Sequence, residues 1–204
     1  MASTDAFPTG YDVAVIDCPW NHYGSPDKMA AAGKHYSLLT DEALLALPVK
    51  SAVRKPGVVF VWATCPRLDF AIDCIRAWGL HYRGVAFVWV KTSKKGLPIG
   101  AQGVRPSIVK PLVEFVLAAS TERLGRPLKL SSESVVQTIF DEDGVGLAEP
   151  IFAPRGAHSE KPQAAYDRIH ALYPQHRKVD IFSRQERPGF TAWGDQVGLL
   201  TAKS

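Results

Sequence analysis

The sequence predicts an α/β fold with a mostly parallel, twisted sheet and helices on both of its faces. Three observations support this prediction. Short, nearly all-apolar runs recur along the chain, amphipathic patterns lie between several of them, and 204 residues suffice for one hydrophobic core but hardly for two. We therefore expect a single domain that covers residues 1–204.

Six apolar runs have the length and composition of buried strands. They are Val13 to Ile16, Val58 to Ala63, Val85 to Val90, Glu114 to Ala118, Ser134 to Ile139 and Val179 to Phe182. Three other segments have helix patterns. The first is capped by Thr40 and ends before Pro48, the second runs from Arg67 to Trp78 with Gly79 as its C-cap, and the third starts at Pro162 and stops at Pro174.

The composition is that of an ordinary globular domain, with 46% hydrophobic and 22% charged residues. No apolar stretch is long enough to cross a bilayer, and the first residues lack the pattern of a secretion signal. The three cysteines, Cys18, Cys65 and Cys74, form neither a C-x-x-C pair nor a cluster at zinc spacing. We expect a cytoplasmic protein with no membrane partner, no disulfide and no bound metal.

The formal net charge is +4, and much of the basic charge is concentrated in one stretch. No Asp or Glu lies between Cys74 and Val113, whereas Arg76, Arg83, Lys91, Lys94, Lys95, Arg105 and Lys110 all do. Such a stretch is either a solvated basic face or a surface for a phosphate backbone. In the second case, the loops that carry Lys94, Lys95 and Arg105 are the candidate contacts with nucleic acid.

The most specific motif is Asp17-Cys18-Pro19-Trp20, which directly follows the first apolar run. An acid that ends a buried strand lies at the carboxyl edge of the sheet, where open α/β folds bind their ligands. The Pro-Trp pair is expected to turn the chain and to present the indole beside the carboxylate. The alternatives are a turn residue for Asp17 and a core residue for Trp20.

The glycine-rich and hydrolase motifs of common nucleotide-binding and esterase folds are absent from the sequence. Instead, Asp17-Cys18-Pro19-Trp20 resembles the Asp-Pro-Pro-Trp signature of the adenine-N6 methyltransferases named after the seventy-kilodalton subunit of the messenger-RNA adenosine methyltransferase, a family with bacterial and phage members. The similarity continues through His35 to Glu42, Trp89 to Thr92, Arg155 to Pro162, Phe182 to Arg184 and Arg187 to Gln196. In the signature, Cys18 stands where the family has proline.

The resemblance implies a Rossmann-like enzyme that uses S-adenosylmethionine, in the permuted order in which the catalytic motif precedes the cofactor motifs. It also implies which residues bind the cofactor and the target base. The cofactor residues would be Asp17, Lys110, Lys161, Arg184, Glu186, Asp195 and Gln196, and Tyr36 would lie near the target base. For Lys161, the expected partner is the carboxylate of the cofactor.

The lone pair of an adenine amine is delocalised into the ring. Two acceptors that bind the two hydrogens of the amine would localise that lone pair on the nitrogen for attack. Asp17 and the backbone carbonyl of Cys18 would be these acceptors, with Pro19 and Trp20 completing the catalytic segment. The predicted function is methyl transfer to N6 of adenine in DNA. The alternatives are adenine in RNA, the 4-amino group of cytosine, or a catalytically silent relative that serves as a nucleic-acid-binding partner. A homodimer or a heteromeric complex is compatible with each.

Overall fold

A computed structural model of the chain describes residues 6–20, 39–100, 108–131, 150–156 and 160–197. Within these ranges, seven strands form one sheet. The strands are β1 (Tyr11–Ile16), β2 (Val53–Thr64), β3 (His81–Thr92), β4 (Val113–Ser120), β5 (Ile151–Pro154), β6 (Lys178–Ile181) and β7 (Thr191–Trp193).

The order of the strands across the sheet is β5-β3-β4-β2-β1-β6-β7. All of them run in the same direction except β4, which is antiparallel to both of its neighbours, β2 and β3. The other four pairings are parallel. The prediction of a mostly parallel sheet is therefore confirmed.

Helices lie on both faces of the sheet. They are α1 (Asp41–Leu45), α2 (Val49–Ala52), α3 (Leu68–Ala77) and α4 (Gln163–Leu172). Successive strand residues point to opposite faces, so Ala14 joins a core cluster with Ile75 of α3, whereas Val15 joins a second cluster with Tyr166 of α4. We refer to these two sides as the α3 face and the α4 face.

The helix ends follow the predicted signals closely. The hydroxyl of Thr40 accepts a hydrogen bond from the backbone N–H of Ala43 at 3.2 Å, and Gly79 follows α3 with a φ of +70°. Pro162 is the N-cap of α4, so the helix begins one residue later than expected. Helix α1 ends already at Leu45, several residues before Pro48.

Five of the six predicted strands correspond to β1, β2, β3, β4 and β6. The sixth, Ser134 to Ile139, lies outside the described residues. The sequence did not predict β5 and β7, because strands of four and three residues leave too short a pattern. In the part of the chain that the structure covers, none of the helices is long and apolar enough to cross a membrane.

Candidate active site

Three charged side chains from β1, β3 and β4 lie at the carboxyl edge of the sheet, with β2 between β4 and β1. Asp17 directly follows β1, and Lys91 is near the end of β3. Glu114 is near the start of β4, and because β4 is antiparallel, its start lies at the edge where β2 and β3 end. Strand alternation places all three side chains on the α4 face.

Lys161 connects Asp17 to Glu114. Its ammonium lies 2.9 Å from Oδ2 of Asp17 and 3.4 Å from Oε2 of Glu114, and its side chain is only 7% exposed. Lys161 directly precedes Pro162, the N-cap of α4. In the described ranges, its ammonium thus contacts two carboxylates. Its predicted contact with the cofactor stays a prediction.

The environment of Asp17 acts on its charge in two opposing ways. Burial raises the pKa of Asp17, while the ammonium of Lys161 acts to lower it through its charge and its hydrogen bond. Within the described part of the chain, Lys161 bonds to Oδ2, and Oδ1 accepts no hydrogen bond. One oxygen of the carboxylate is therefore left for a ligand.

Glu114 lies between two lysines. Its Oε1 is 2.5 Å from Nζ of Lys91, and its Oε2 faces Lys161. Burial alone would raise the pKa of Glu114, but the two ammonium groups outweigh it, and the pKa is lowered. Glu114 is therefore ionised at neutral pH.

A second buried network surrounds Asp180 in β6, which is 1% exposed. Its carboxylate accepts hydrogen bonds from the guanidinium of Arg187 at 2.8 Å, from the hydroxyl of Ser183 at 2.8 Å and from the phenol of Tyr166 at 3.3 Å. Burial raises the pKa of Asp180 to about 6, although Arg187 acts to lower it. The guanidinium of Arg187 also lies 3.7 Å from the centre of the Tyr166 ring.

This network holds the turn that follows β6. Phe182 has a φ of 60°, a left-handed conformation that costs about 1–2 kcal/mol for a residue with a side chain. The hydroxyl of Ser183, which has a single proton to share between two acceptors, also lies 2.7 Å from the carbonyl oxygen of Gln185. The N–H of Ser183 donates to the carbonyl of Trp193 in β7 at 3.0 Å. These bonds fix the turn in spite of its strained start.

The turn and the end of β7 carry four of the residues expected at the cofactor. Arg184 is half-buried and Glu186 is exposed, both in the turn after β6. Asp195 is exposed and Gln196 half-buried, both just after β7. The structure therefore places all four at the carboxyl edge of two adjacent strands. Their contacts with a cofactor remain predicted.

A shallow cleft, open to solvent, lies between α4 and this turn. Its lining includes Asp17, Lys161, Phe182, Ser183 and Arg184. S-adenosylmethionine has a charged amino acid moiety, a ribose and a flat base, which call for ionic partners, hydrogen-bonding groups and an apolar surface. The side chains of this cleft include all three kinds, so their chemistry fits that cofactor.

The rest of the signature segment packs on the opposite face of the sheet. Trp20 is 4% exposed and belongs to the core cluster of the α3 face, where its ring meets that of Phe70 edge to face at 6.1 Å. The expectation that the indole is presented beside Asp17 is therefore wrong, because the turn at Pro19 directs the ring into the core. Its role in stacking on a base stays a prediction without this support.

Cys18 is also part of the core on the α3 face. Burial raises the pKa of its thiol well above the usual value, so the thiol is neutral and is not a nucleophile at neutral pH. The backbone carbonyl of Cys18 accepts the N–H of Trp20 at 2.8 Å. A carbonyl has two lone pairs, so one remains for another donor.

The basic stretch does not form one face. Arg76 pairs with Asp73 on α3, and Arg83 donates to backbone carbonyls of residues 122 and 125, both towards the amino edge of the sheet. Lys91 is engaged with Glu114. Among the described cations of this stretch, Lys94, Lys95 and Lys110 are exposed at the carboxyl edge.

The carboxyl-edge cations occupy different segments. Lys94 and Lys95 lie in a tight turn after β3, closed by the bridge between Thr92 and Pro98. Lys110 lies shortly before β4, with its side chain against Gly100. Its contact with the cofactor stays a prediction. Arg105 and Tyr36 lie outside the described residues.

Sequence reasoning did not assign roles to Glu114, Lys91, Asp180 and Arg187. Glu114 and Lys91 had a detectable signal, since a charged residue beside an otherwise apolar strand run is unusual in a buried sheet. Asp180 had the same signal within Val179 to Phe182. The sequence held no signal for the ion pairs that these residues form, because pairs between distant segments depend on the packing of the strands.

No group of three or more His, Cys, Asp or Glu residues that could hold a metal is found in the described ranges. The mostly parallel sheet, its helices on both faces and the charged cleft at its carboxyl edge are those of a Rossmann-like methyltransferase. Residues 11–196 match the model of the MT-A70 family. The chain therefore belongs to the MT-A70 family, which confirms the resemblance and the predicted enzyme class, an S-adenosylmethionine-dependent adenine methyltransferase.

Several known methyltransferases are similar to this chain. It is 27% identical to the type II methyltransferase M.MunI of Mycoplasma sp., over 92% of this chain and 78% of the relative. It is 25% identical to the N(6)-adenosine-methyltransferase MT-A70-like protein of Drosophila melanogaster and 23% identical to the human N(6)-adenine-specific methyltransferase METTL4. Both of these matches include 92% of this chain but only 27% and 37% of the respective relative.

Proposed function

We propose that this chain transfers a methyl group to N6 of adenine in DNA. The observation that carries the proposal is the state of the Asp17 carboxylate, which lies at the carboxyl edge of β1 and lines the cleft. Its Oδ2 contacts Lys161, whereas its Oδ1 accepts no hydrogen bond in the described residues. An acceptor in this position can engage an exocyclic amine at the mouth of the cleft.

The residues of the chain have separate tasks in this proposal. Oδ1 of Asp17 accepts one hydrogen of the amine, and the second lone pair of the Cys18 carbonyl accepts the other. These contacts orient the lone pair of N6 and place the carboxylate of Asp17 beside the positive charge that develops on N6. S-adenosylmethionine, when bound, supplies an electrophilic methyl group, and the products are N6-methyladenine, S-adenosylhomocysteine and one proton.

Asp17 is suited to the removal of that proton. Burial raises its pKa, so the carboxylate is a stronger base than an exposed aspartate, and Lys161 still favours its ionised form. The attacking amine becomes acidic as it gains the methyl group. Asp17 therefore receives the proton only after the new bond has begun to form and passes it on to solvent.

The choice of DNA over RNA rests on one relative, since the chain spans 78% of M.MunI, which is named a type II methyltransferase. Lys94 and Lys95 are exposed on a turn at the same edge as Asp17, where they can contact the phosphates of either nucleic acid. A relative from Pyricularia oryzae, at 24% identity, is named an N6-methyladenosine RNA methyltransferase, so RNA is the second substrate to test.

The test is incubation of the purified chain with methyl-labelled S-adenosylmethionine and, separately, duplex DNA, single-stranded DNA and RNA of mixed sequence. Digestion to nucleosides and mass spectrometry then identify the product. N6-methyldeoxyadenosine is expected. N6-methyladenosine alone would replace DNA by RNA, and 4-methylcytosine would replace the base.

Binding of nucleic acid and cofactor without any methyl transfer, at high protein concentration, would instead indicate a catalytically silent relative. In that case, mixing with a candidate partner chain would show whether the protein acts within a heteromeric complex. A size measurement of the purified chain separates a monomer from a homodimer. These two measurements decide whether the protein forms a heteromeric complex or a homodimer.

A further inference from the structure

Four charged groups form a chain of contacts across the carboxyl edge of the sheet, in the order Asp17, Lys161, Glu114 and Lys91. Their side chains are 19%, 7%, 10% and 16% exposed. Acid and base alternate, so the formal charges within the chain of contacts cancel. In a partly desolvated position, such alternation keeps each group ionised.

Lys161 could satisfy its charge with Asp17 alone, yet it also has Glu114. Asp17 and Glu114 approach its ammonium at 2.9 and 3.4 Å, so two different directions are fixed for a group that otherwise rotates freely. Glu114 is itself held at Oε1 by Lys91, at 2.5 Å. The position of the ammonium is therefore set from two sides.

Two indoles enclose the lysines. The Nζ of Lys161 lies 5.6 Å from the centre of the Trp62 ring, and the Nζ of Lys91 lies 5.1 Å from that of Trp89. The two rings meet edge to face at 6.2 Å and are 1% and 2% exposed. Such apolar surroundings strengthen the ionic contacts and restrict where the ammonium groups can move.

The proposed function depends on which oxygen of Asp17 the ammonium of Lys161 contacts. In the described residues, the ammonium contacts Oδ2 at 2.9 Å, and no hydrogen bond to Oδ1 is formed. If Glu114 were neutral, its pull on the ammonium would be lost. Lys161 could then move over the carboxylate and compete with the amine for Oδ1.

We propose that Glu114 and Lys91 are positioning residues for methyl transfer, which hold Lys161 on Oδ2 of Asp17 and thereby keep Oδ1 open to the amine. This inference rests on the proposed function. Neither residue needs to touch the substrate, and each acts through Lys161. The effect of Glu114 should exceed that of Lys91, since only Glu114 contacts Lys161 directly.

The test uses Glu114→Gln, which keeps the shape of the side chain and removes its charge. With the nucleic acid that the wild type methylates, kcat is expected to fall about 10- to 100-fold, while the Kd for S-adenosylhomocysteine changes by less than about threefold. Lys91→Met should lower kcat by less, and the double variant should be no slower than Glu114→Gln.

Asp12→Asn is the matched control. Asp12 lies in β1, the strand that Asp17 follows, but near the opposite edge of the sheet. It is 18% exposed and pairs with Arg54 at 3.6 Å. Its loss should lower the melting temperature as Glu114→Gln does, with kcat within twofold of the wild type. This comparison separates a loss of stability from a loss of positioning.

Crystal structures of wild type and Glu114→Gln supply a readout that does not depend on turnover, and Lys161 is expected to move towards Oδ1. A folded Glu114→Gln protein with wild-type kcat would overturn the positioning role. So would a Kd for S-adenosylhomocysteine that rises as much as kcat falls. If the wild type methylates no nucleic acid at all, the proposed function fails instead, whatever the variants do.

Discussion

Oδ2 of Asp17 lies 2.9 Å from Nζ of Lys161, although the two residues are far apart in the sequence. Asp17 directly follows β1, and Lys161 directly precedes the N-cap of α4. Their contact joins the signature segment to the cleft between α4 and the turn after β6. The acceptor for the amine and the lining of the cofactor cleft are therefore parts of one site.

Asp17→Asn should abolish methyl transfer, with a fall in kcat on the order of 10³-fold, because the anion that receives the amine proton is lost. The Kd for S-adenosylhomocysteine should stay within about tenfold of the wild-type value. Single-turnover kinetics and calorimetry measure the two quantities. Equal activity of variant and wild type would remove Asp17 from the mechanism, and Asp12→Asn again serves as the control for a lost carboxylate on β1.

Lys94→Ala/Lys95→Ala should weaken nucleic-acid binding several-fold and reduce the slope of log Kd against log salt by about one to two, since each phosphate contact contributes about 0.9 to that slope. Lys50→Ala/Arg76→Ala is the matched control. It removes the same charge near the opposite edge of the sheet, where Lys50 lies against Gly79 and Arg76 pairs with Asp73. Equal effects of the two double variants would point to net charge alone and would argue against a contact at the turn.

Alkylation should distinguish the three cysteines of the native protein. Cys18 and Cys74 are buried, and burial raises the pKa of both thiols, that of Cys74 to about 12. Cys65 is half-buried, and we expect iodoacetamide to modify it first, as followed by mass spectrometry of the peptides. Labelling of Cys18 as fast as that of Cys65 would show an accessible thiol beside Asp17 and contradict the packing described above.

Asp180 should make the stability of the protein depend on pH. Its pKa is raised to about 6 from an ordinary value of 3.8, so between about pH 4 and pH 6 the folded state binds more protons than the unfolded state. The free energy of unfolding contributed by Asp180 therefore falls as the pH rises through this window, by about 3 kcal/mol.

Asp180→Asn removes this titration. The unfolding free energy of the wild type, minus that of the variant, should decrease between pH 4 and pH 7 in urea denaturation experiments. Asp17 and Glu114 titrate in both proteins, so their contributions largely cancel in the difference. A difference that is constant over this range would show that Asp180 is ionised throughout, held in that form by Arg187.

The local elements of the fold were predictable from short stretches of sequence. The cap at Thr40, the glycine after α3 and the buried strand before Asp17 each depend on residues within a few positions, and the structure has them where the pattern placed them. The direction of β4 was not predictable. An apolar strand run looks the same in either direction, because its side chains alternate in the same way.

The sequence by itself determined the family, the mostly parallel sheet and the position of Asp17 at its carboxyl edge, since these follow from local motifs and strand periodicity. Only the tertiary structure decided that Trp20 packs in the core, on the face opposite Asp17. It alone also decided that β4 brings Glu114 to Lys161 and Lys91. The physical reason is that pairing across a sheet joins distant segments, and no local pattern records the direction and register in which they meet.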